Sequence, residues 1–337
     1  MIVRPQRAPG PGVGDPMPRI TLPLSSGILF DSWDAARAGC VRVYWMGVLP
    51  VEERTPTLVA RLADCEATLY VVASRSAESF DADFPCIVDR NVELGHAFGA
   101  AGPLAIVVDA GDRVAAVMPS PALQDVVAFV EHLHAATDPV VVRAAAPVLL
   151  LNRVLDDDLC RRLILYWEAR DKVASIVGSE GGNVVDAHTK RRLDTHLEDP
   201  ALFVSVRDAL VRRVAPAIEQ ASHVRTSVIE TPCIGCYDAL TGGWFRRHRD
   251  NTSRLTAHRQ FAISINLNPD DEYEGGELRF PEFGRQLYRP DVGCAVVFSS
   301  ALLHEVNPVT QGRRFGLFTF LSSGGVAAGF GPRSVNR

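Results

Sequence analysis

The chain has 337 residues, 47% of them hydrophobic, which is enough apolar material for two cores rather than one. A formal net charge of -5 and a pI near 6.0 exclude a bulk polyanion as the expected partner, so no nucleic acid is expected. Seven scattered cysteines fit a reducing compartment, the N-terminal MIVRPQRAPGPG lacks an apolar core of signal-peptide length, and the most apolar stretch, 140–151, is broken by Arg143 and Pro147; no membrane partner and a cytoplasmic location are expected.

Residues 1–14 are rich in Pro and Gly and read as an arm. Beyond them an apolar run at 41–47 (VRVYWMG), a helix at 55–65 (TPTLVARLADC), a strand at 67–74 (ATLYVVAS) and the segment FPCIVDRNVELGHAFGA at 84–100 alternate strand with helix, which implies a mainly parallel sheet. The stretch 103–118, PLAIVVDAGDRVAAVM, reads as a hairpin turning at Asp109 to Asp112, followed by a helix from Leu123 to Ala135. The series resembles the peroxiredoxin branch of the thioredoxin fold in its entry GDPMP at 14–18, in PCIVDRNVELGHAFG and in the closing hairpin. That family places its peroxidatic cysteine in a Thr-x-x-Cys segment after the first core strand. Here the corresponding stretch, GVLPVEERTPTL at 47–58, offers Glu52 and Glu53 but no sulfur. Cys40, Cys65 and Cys86 stand elsewhere and read as small apolar fillers. A domain over 14–138 is therefore expected to be a non-catalytic scaffold, serving substrate capture or forming a homodimer.

Thr137 to Ala146, with Pro139, reads as a linker to a second domain over 146–325. After the apolar VLLL, Asp156 to Asp158 suit a helix start, and Leu159, Leu163, Ile164 and Trp167 recur at helical spacing. A second helix, Pro200 to Gln220, repeats that period with Leu202, Val206, Leu210, Val214 and Ile218; both are expected to brace one sheet from outside. Between them SEGGNVVDAHTKRRLDTH at 179–196 is polar and Gly-rich, a loop whose Arg191 and Arg192 either meet substrate or form a solvated basic patch. From Val224 short strands separated by Gly, Pro and Asn turns argue for an antiparallel jelly roll, the double-stranded β-helix. The fold class is thus α/β plus mainly β: a thioredoxin-like domain, then a jelly roll with bracing helices.

The chemistry concentrates in YDALTGGWFRRHRD, Tyr237 to Asp250. In an extended segment His248 and Asp250 point the same way. Two imidazoles and one carboxylate on a triangular face leave metal positions free, the arrangement of non-heme Fe(II) oxygenases, and His304 is the natural third ligand. Arg314 opens the strand-like RFGLFTF and would aim a cation into the same cavity, Arg313 then facing solvent. Gly242 and Gly243 allow a sharp turn before Trp244, and Asn251 to His258 reads as a lid. Cys233 and Cys236 fall on opposite faces of one strand and read as unrelated packing positions.

This half resembles, roughly from 146 to 323, the Fe(II)/2-oxoglutarate dioxygenases of the prolyl 4-hydroxylase type. Their pattern of Tyr, His-x-Asp, Gly-Gly, His and Arg is present in order, with YEGGELRF at 273–280 and RPDVGCAVVF at 289–298. The resemblance implies Fe(II) on His248, Asp250 and His304, 2-oxoglutarate held by Arg314 and Tyr237, and ascorbate as reductant. It also implies substrate contacts at the mouth from Trp244, Arg191, Arg192 and Arg259. Retention of Asp250 favours hydroxylation over halogenation, with a peptidyl proline, an amino acid or a small metabolite as substrate and succinate and carbon dioxide as products. One departure is Asn266, where many relatives carry a tyrosine. Rival expectations are a thiol redox protein centred on the first domain and an iron-binding sensor without turnover.

Overall fold

The long apolar strands at both ends of the sequence each find a sheet. The structure, a computed structural model, describes residues 10–47, 49, 55–74, 84–99, 102–135, 141–174, 177–179, 182–184 and 188–324. The chain divides into two compact units, Met1–Val141 and Val142–Arg337.

In the first unit five strands, β1 (Arg42–Met46), β2 (Thr68–Ala73), β3 (Cys86–Val88), β4 (Leu104–Val108) and β5 (Val114–Pro119), form one sheet in the order β3-β2-β1-β4-β5. The pairings β1–β2 and β2–β3 are parallel, whereas β1–β4 and β4–β5 are antiparallel. The sheet is therefore mixed, not mainly parallel: β4 enters antiparallel to β1, and the turn at Asp109–Asp112 folds it straight back into β5. Strands β1 and β4 are buried along their whole length, so both faces must be covered. Val43, Trp45, Val71, Ala105 and Val107 pack against α1 (Thr55–Asp64) and α3 (Leu123–Ala135). On the other face Tyr44, Tyr70 and Ile106 meet Phe30 and Leu94, the latter from α2 (Glu93–Ala97). Glu52 and Glu53 lie outside the described residues, as do residues 137–140 of the expected linker.

The second unit is built from two facing antiparallel sheets. The larger has the path β6 (Val148–Leu151), β15 (Ala295–Ser299), β11 (Phe261–Asn266), β17 (Val309–Ser322), β9 (Cys233–Asp238), β8 (Leu193–His196), Val173–Ala174. β12 (Tyr273–Gly275) also pairs with β17. The smaller runs β7 (Lys190–Arg191), β10 (Trp244–His248), β16 (His304–Val306), β13 (Leu278–Arg279), β14 (Leu287–Tyr288). Alternation along the larger sheet separates two cores. Ile234, Cys236, Ile263, Ile265, Phe315 and Leu317 face the helices α4 (Asp157–Glu168), α5 (Pro200–Ala209) and α6 (Ala215–Ser222). Tyr237, Ala262, Val296, Phe318 and Phe320 face the smaller sheet. Asp156 caps α4 by accepting from the Leu159 amide at 2.8 Å, and Asp199 caps α5 on Leu202 at 2.8 Å.

Two expectations need correction here. The helix expected over Pro200–Gln220 is interrupted by a π-helical turn at Leu210–Val214, just before Pro216, which has no amide hydrogen to give the continuing ladder. The polar stretch at 179–196 is not wholly a loop: Val177–Ser179 pairs with Gly182–Val184, and its end supplies β7 and β8.

Candidate metal centre and its cavity

Strands β10 and β16 pair antiparallel with His248 directly opposite His304, which brings together residues far apart in sequence. One ligand atom from each of His248, Asp250 and His304 lies within 4.8 Å of the others. His248 Nε2 stands 3.5 Å from Asp250 Oδ1, and His304 Nε2 stands 3.5 Å from Asp250 Oδ2. Each imidazole is oriented by its own backbone. His248 Nδ1 bonds the Arg246 carbonyl at 2.7 Å, and His304 Nδ1 bonds the Leu302 carbonyl at 3.0 Å. A carbonyl only accepts, so both Nδ1 atoms carry the proton and both Nε2 lone pairs face the carboxylate.

Such a cluster is uneconomical unless something fills it. His248 Nε2 is buried without a hydrogen-bond partner among the described residues. Burial pushes the His304 imidazole down to about 4, keeping it neutral and able to donate a lone pair. Burial pushes the Asp250 carboxyl upward, but the two imidazoles, led by His304, outweigh it and the net shift is downward. Two neutral imidazoles and one carboxylate converging on an unsatisfied nitrogen fit a divalent first-row metal, and the open side suits iron that must also take exogenous ligands.

The cluster lies in a cavity of about 830 Å³ between the sheets. Phe245, Leu278, Phe298, Val306 and Phe318 make its walls largely apolar, and Tyr237, Lys190, Arg192 and Arg259 contribute polar groups. Phe245 stacks on His248 with ring centroids 3.4 Å apart. That contact depends on a β-bulge between Phe245 and His248, where the register with β16 shifts. The extra residue resets the alternation, so Phe245 and His248 both face inward.

The bulge also corrects one expectation: Trp244 does not line the cavity but sits in a separate groove with Arg246 and Glu305. Arg191 is likewise turned away. Lys190 and Arg192 line the cavity, while Arg191 between them is exposed and donates to the Thr241 carbonyl at 3.2 Å. Arg192 does reach the cavity, gripping Asp194 in two-pronged fashion at 2.5 and 2.9 Å, with its guanidinium 4.0 Å from the Phe318 ring centroid and 3.4 Å from the Tyr237 hydroxyl. This flat pair lies over Gly235, where a Cβ would fall 2.6 Å from Arg192 Nε. Arg259 lines the mouth and is held by Glu230 at 2.8 and 2.7 Å. From the expected lid, Thr252 and Thr256 border the cavity.

Arg314 is buried on the inner face of β17, its guanidinium carbon 5.7 Å from the Tyr237 ring centroid and its Nη1 donating to the Gly276 carbonyl at 2.8 Å. Its Nε has no partner among the described residues. It stands beside Tyr237 rather than on the cavity wall itself, so the lining cations are Lys190, Arg192, Arg249 and Arg259. Lys190, Asp194 and Phe245 are site residues that sequence reasoning misses. Cys233 and Cys236 do fall on opposite faces, the first in the cavity and the second under the helices.

Residues 234–322 match the 2OG-Fe(II) oxygenase superfamily. With the roll and the His-Asp-His cluster, the C-terminal unit is thereby a 2OG-Fe(II) oxygenase domain, an enzyme of the 2-oxoglutarate-dependent dioxygenase class using Fe(II) and 2-oxoglutarate. This half is similar to proteins named PKHD-type hydroxylases. A PKHD-type hydroxylase of Teredinibacter turnerae is 28% identical over 178 residues, covering 50% of this chain and 77% of the relative. One of Stutzerimonas stutzeri is 30% identical over 144 residues, covering 41% of this chain and 62% of the relative, so less than two thirds of that protein is spanned. The solved prolyl-4-hydroxylase of Pseudomonas putida is 21% identical with a TM-score of 0.41, covering 54% of this chain and 95% of its own. Among the described residues no helix is long and apolar enough to cross a membrane.

Proposed function

We propose that the protein hydroxylates a C–H bond of a peptidyl proline, an amino acid or a small metabolite, consuming 2-oxoglutarate and dioxygen and releasing succinate and carbon dioxide. The observation that carries this reading is the convergence of His248, Asp250 and His304 on one unsatisfied point inside an apolar cavity. The relatives named PKHD-type hydroxylases support the same reaction class.

In this reading the three side chains hold Fe(II), and iron with 2-oxoglutarate supplies the oxidising power that no side chain provides. The backbone carbonyls of Arg246 and Leu302 keep both imidazoles in the metal-binding tautomer. Phe245, stacked on His248, fixes that ring and shields it from water. Tyr237 on the cavity wall and Arg314 behind it take the far carboxylate of the co-substrate, Arg314 Nε having no partner among the described residues. Arg192 steadies Tyr237 from the other side. Arg259 and the Thr252–Thr256 segment border the entrance and meet substrate.

For the N-terminal unit we infer a peroxiredoxin-like, thioredoxin-type scaffold without thiol catalysis, spanning 14–138 and joined to the oxygenase at 146–325. Its mixed five-stranded sheet covered by helices on both faces supports this. So do Cys65 and Cys86, both buried, whose thiols are pushed up by burial and so are poor nucleophiles. Such a unit suits substrate capture or homodimer formation.

The test is succinate release from iron-loaded protein given 2-oxoglutarate, with mass spectrometry of candidate prolyl peptides and amino acids for a gain of one oxygen. Succinate production undiminished in His248→Ala at saturating iron would overturn the assignment.

A further inference from the structure

Among the described residues, one cation of the cavity wall has no hydrogen-bonded or ion-paired counterpart. Arg192 is paired with Asp194, Arg259 with Glu230 and Arg249 with Glu282, while the Asp250 carboxylate faces the metal position between the two imidazoles. Lys190 is only 9% exposed, and no hydrogen bond or ion pair joins its ammonium to any described residue. Its Nζ stands 4.4 Å from the centroid of Phe245, the ring stacked on His248.

A desolvated ammonium of this kind is expensive, and a cation–π contact returns only about 2 kcal/mol even when dry. Lys190 lines the cavity, and its three N–H donors have no hydrogen-bond acceptor among the described residues. We propose that Lys190 receives a carboxylate of the substrate, so that the molecule oxidised at this centre is a carboxylate-bearing one. This rests on the hydroxylase reading above and narrows its substrate class.

Two features choose the ligand. A single unbalanced cation suits a monoanionic group, whereas a phosphate dianion would need a second unpaired cation. The position separates it from the co-substrate: Lys190 is on β7, the edge of the smaller sheet, opposite Phe245 on the strand that carries His248. Tyr237 and Arg314 pair with each other across β9 and β17 in the larger sheet. The substrate carboxylate is thereby received by the smaller sheet and the co-substrate carboxylate by the larger.

The experiment uses the full chain loaded with Mn(II) and N-oxalylglycine, which cannot turn over, and titrates it with L-proline, L-glutamate and N-acetyl-L-proline, each against its α-amide. At least one carboxylate is expected to bind roughly tenfold or more tightly than its amide, the usual worth of hydrogen bonds to a charged group. Lys190→Met should erase that preference, Lys190→Arg should keep most of it, and N-oxalylglycine affinity should be unchanged in both. The melting temperature of ligand-free Lys190→Met should equal or exceed wild type, because a charge kept for a ligand stabilises nothing in its absence. The proposal is overturned if no carboxylate outbinds its amide or if the preference survives in Lys190→Met. A loss of N-oxalylglycine affinity in that variant would overturn it by assigning the lysine to the co-substrate, and a lowered melting temperature by assigning it to the fold. Failure of Mn(II) and N-oxalylglycine to bind wild type would instead sink the hydroxylase reading itself.

Discussion

Gly276 lies directly beneath Arg314: its carbonyl accepts from Arg314 Nη1 at 2.8 Å, and a Cβ at 276 would come within 2.9 Å of Arg314 Cδ. The residue also has φ of +71°, a conformation that penalises side chains by about 1–2 kcal/mol. Gly276→Ala is therefore expected to push Arg314 off its seat and weaken 2-oxoglutarate binding about tenfold, the scale of one charged hydrogen bond. Metal affinity should not change. Calorimetric titration of both ligands checks this, and unaltered 2-oxoglutarate affinity would remove Arg314 from the co-substrate site.

Loss of one imidazole should be felt by the metal before the fold. His248→Ala leaves Asp250 and His304 alone, so metal affinity is expected to fall more than about 100-fold, exceeding the effect of changes one shell further out. Its melting temperature without metal should fall only modestly, since the fold loses the bond to the Arg246 carbonyl and the Phe245 stack, while the buried Nε2 has no partner among the described residues. Competition with a chelating dye measures the first quantity and differential scanning fluorimetry the second.

Asp194 neutralises a guanidinium that is almost wholly enclosed, the two side chains being 9% and 6% exposed. Removing it in Asp194→Ala strands the Arg192 charge, a change that costs about 3–5 kcal/mol in comparable buried pairs. The double variant Arg192→Met/Asp194→Ala should recover much of that loss in urea denaturation. Equal destabilisation of the single and double variants would show that the pair's packing, not its charge balance, matters.

Acid should destabilise the metal-free protein. The His304 imidazole titrates near 6.5 when unfolded but at about 4 when folded, so between those values the unfolded state binds the extra proton and stability falls as pH falls. The full effect is about 3 kcal/mol, at about 1.4 kcal/mol per unit of pKa difference. Asp250 acts in the same direction at lower pH: its folded carboxyl is held below the usual 3.8, so its contribution is present above that value and lost below it. Denaturant midpoints at pH 7, 6 and 5 should decline without metal and flatten when Mn(II) saturates the site. A flat metal-free profile would mean that His304 is not held neutral.

The metal cluster is legible in the sequence because period-2 alternation alone places His248 beside Asp250. The same rule fails a few residues earlier. It cannot foresee the bulge after Phe245, which brings that ring inward and sends Trp244 out. Lys190, Arg192 and Asp194 also obey alternation, but the Gly-rich polar context of 179–196 reads as loop and hides a strand. In the N-terminal half the strands and the helix at Leu123–Ala135 are legible from apolar runs. Their directions are not, since alternation of strand and helix does not reveal that β4 enters antiparallel to β1. Asn266, expected as a departure because the resemblance implies a tyrosine there, has a tyrosine nearby all the same: the Tyr273 hydroxyl donates to its Oδ1 at 3.3 Å from β12, which like β11 pairs with β17.

Strand β17 carries fourteen residues and pairs with β9, β11, β12 and the short strand Val228–Ile229. A slip of one residue in its pairing would exchange its two faces, sending Arg314, Phe318 and Phe320 toward the helices and Phe315 and Leu317 toward the metal. Chains that mispair there would be wholly inert rather than partly active. Refolding yield and specific activity in this enzyme should accordingly rise and fall together, with no long-lived population of sluggish molecules between the two.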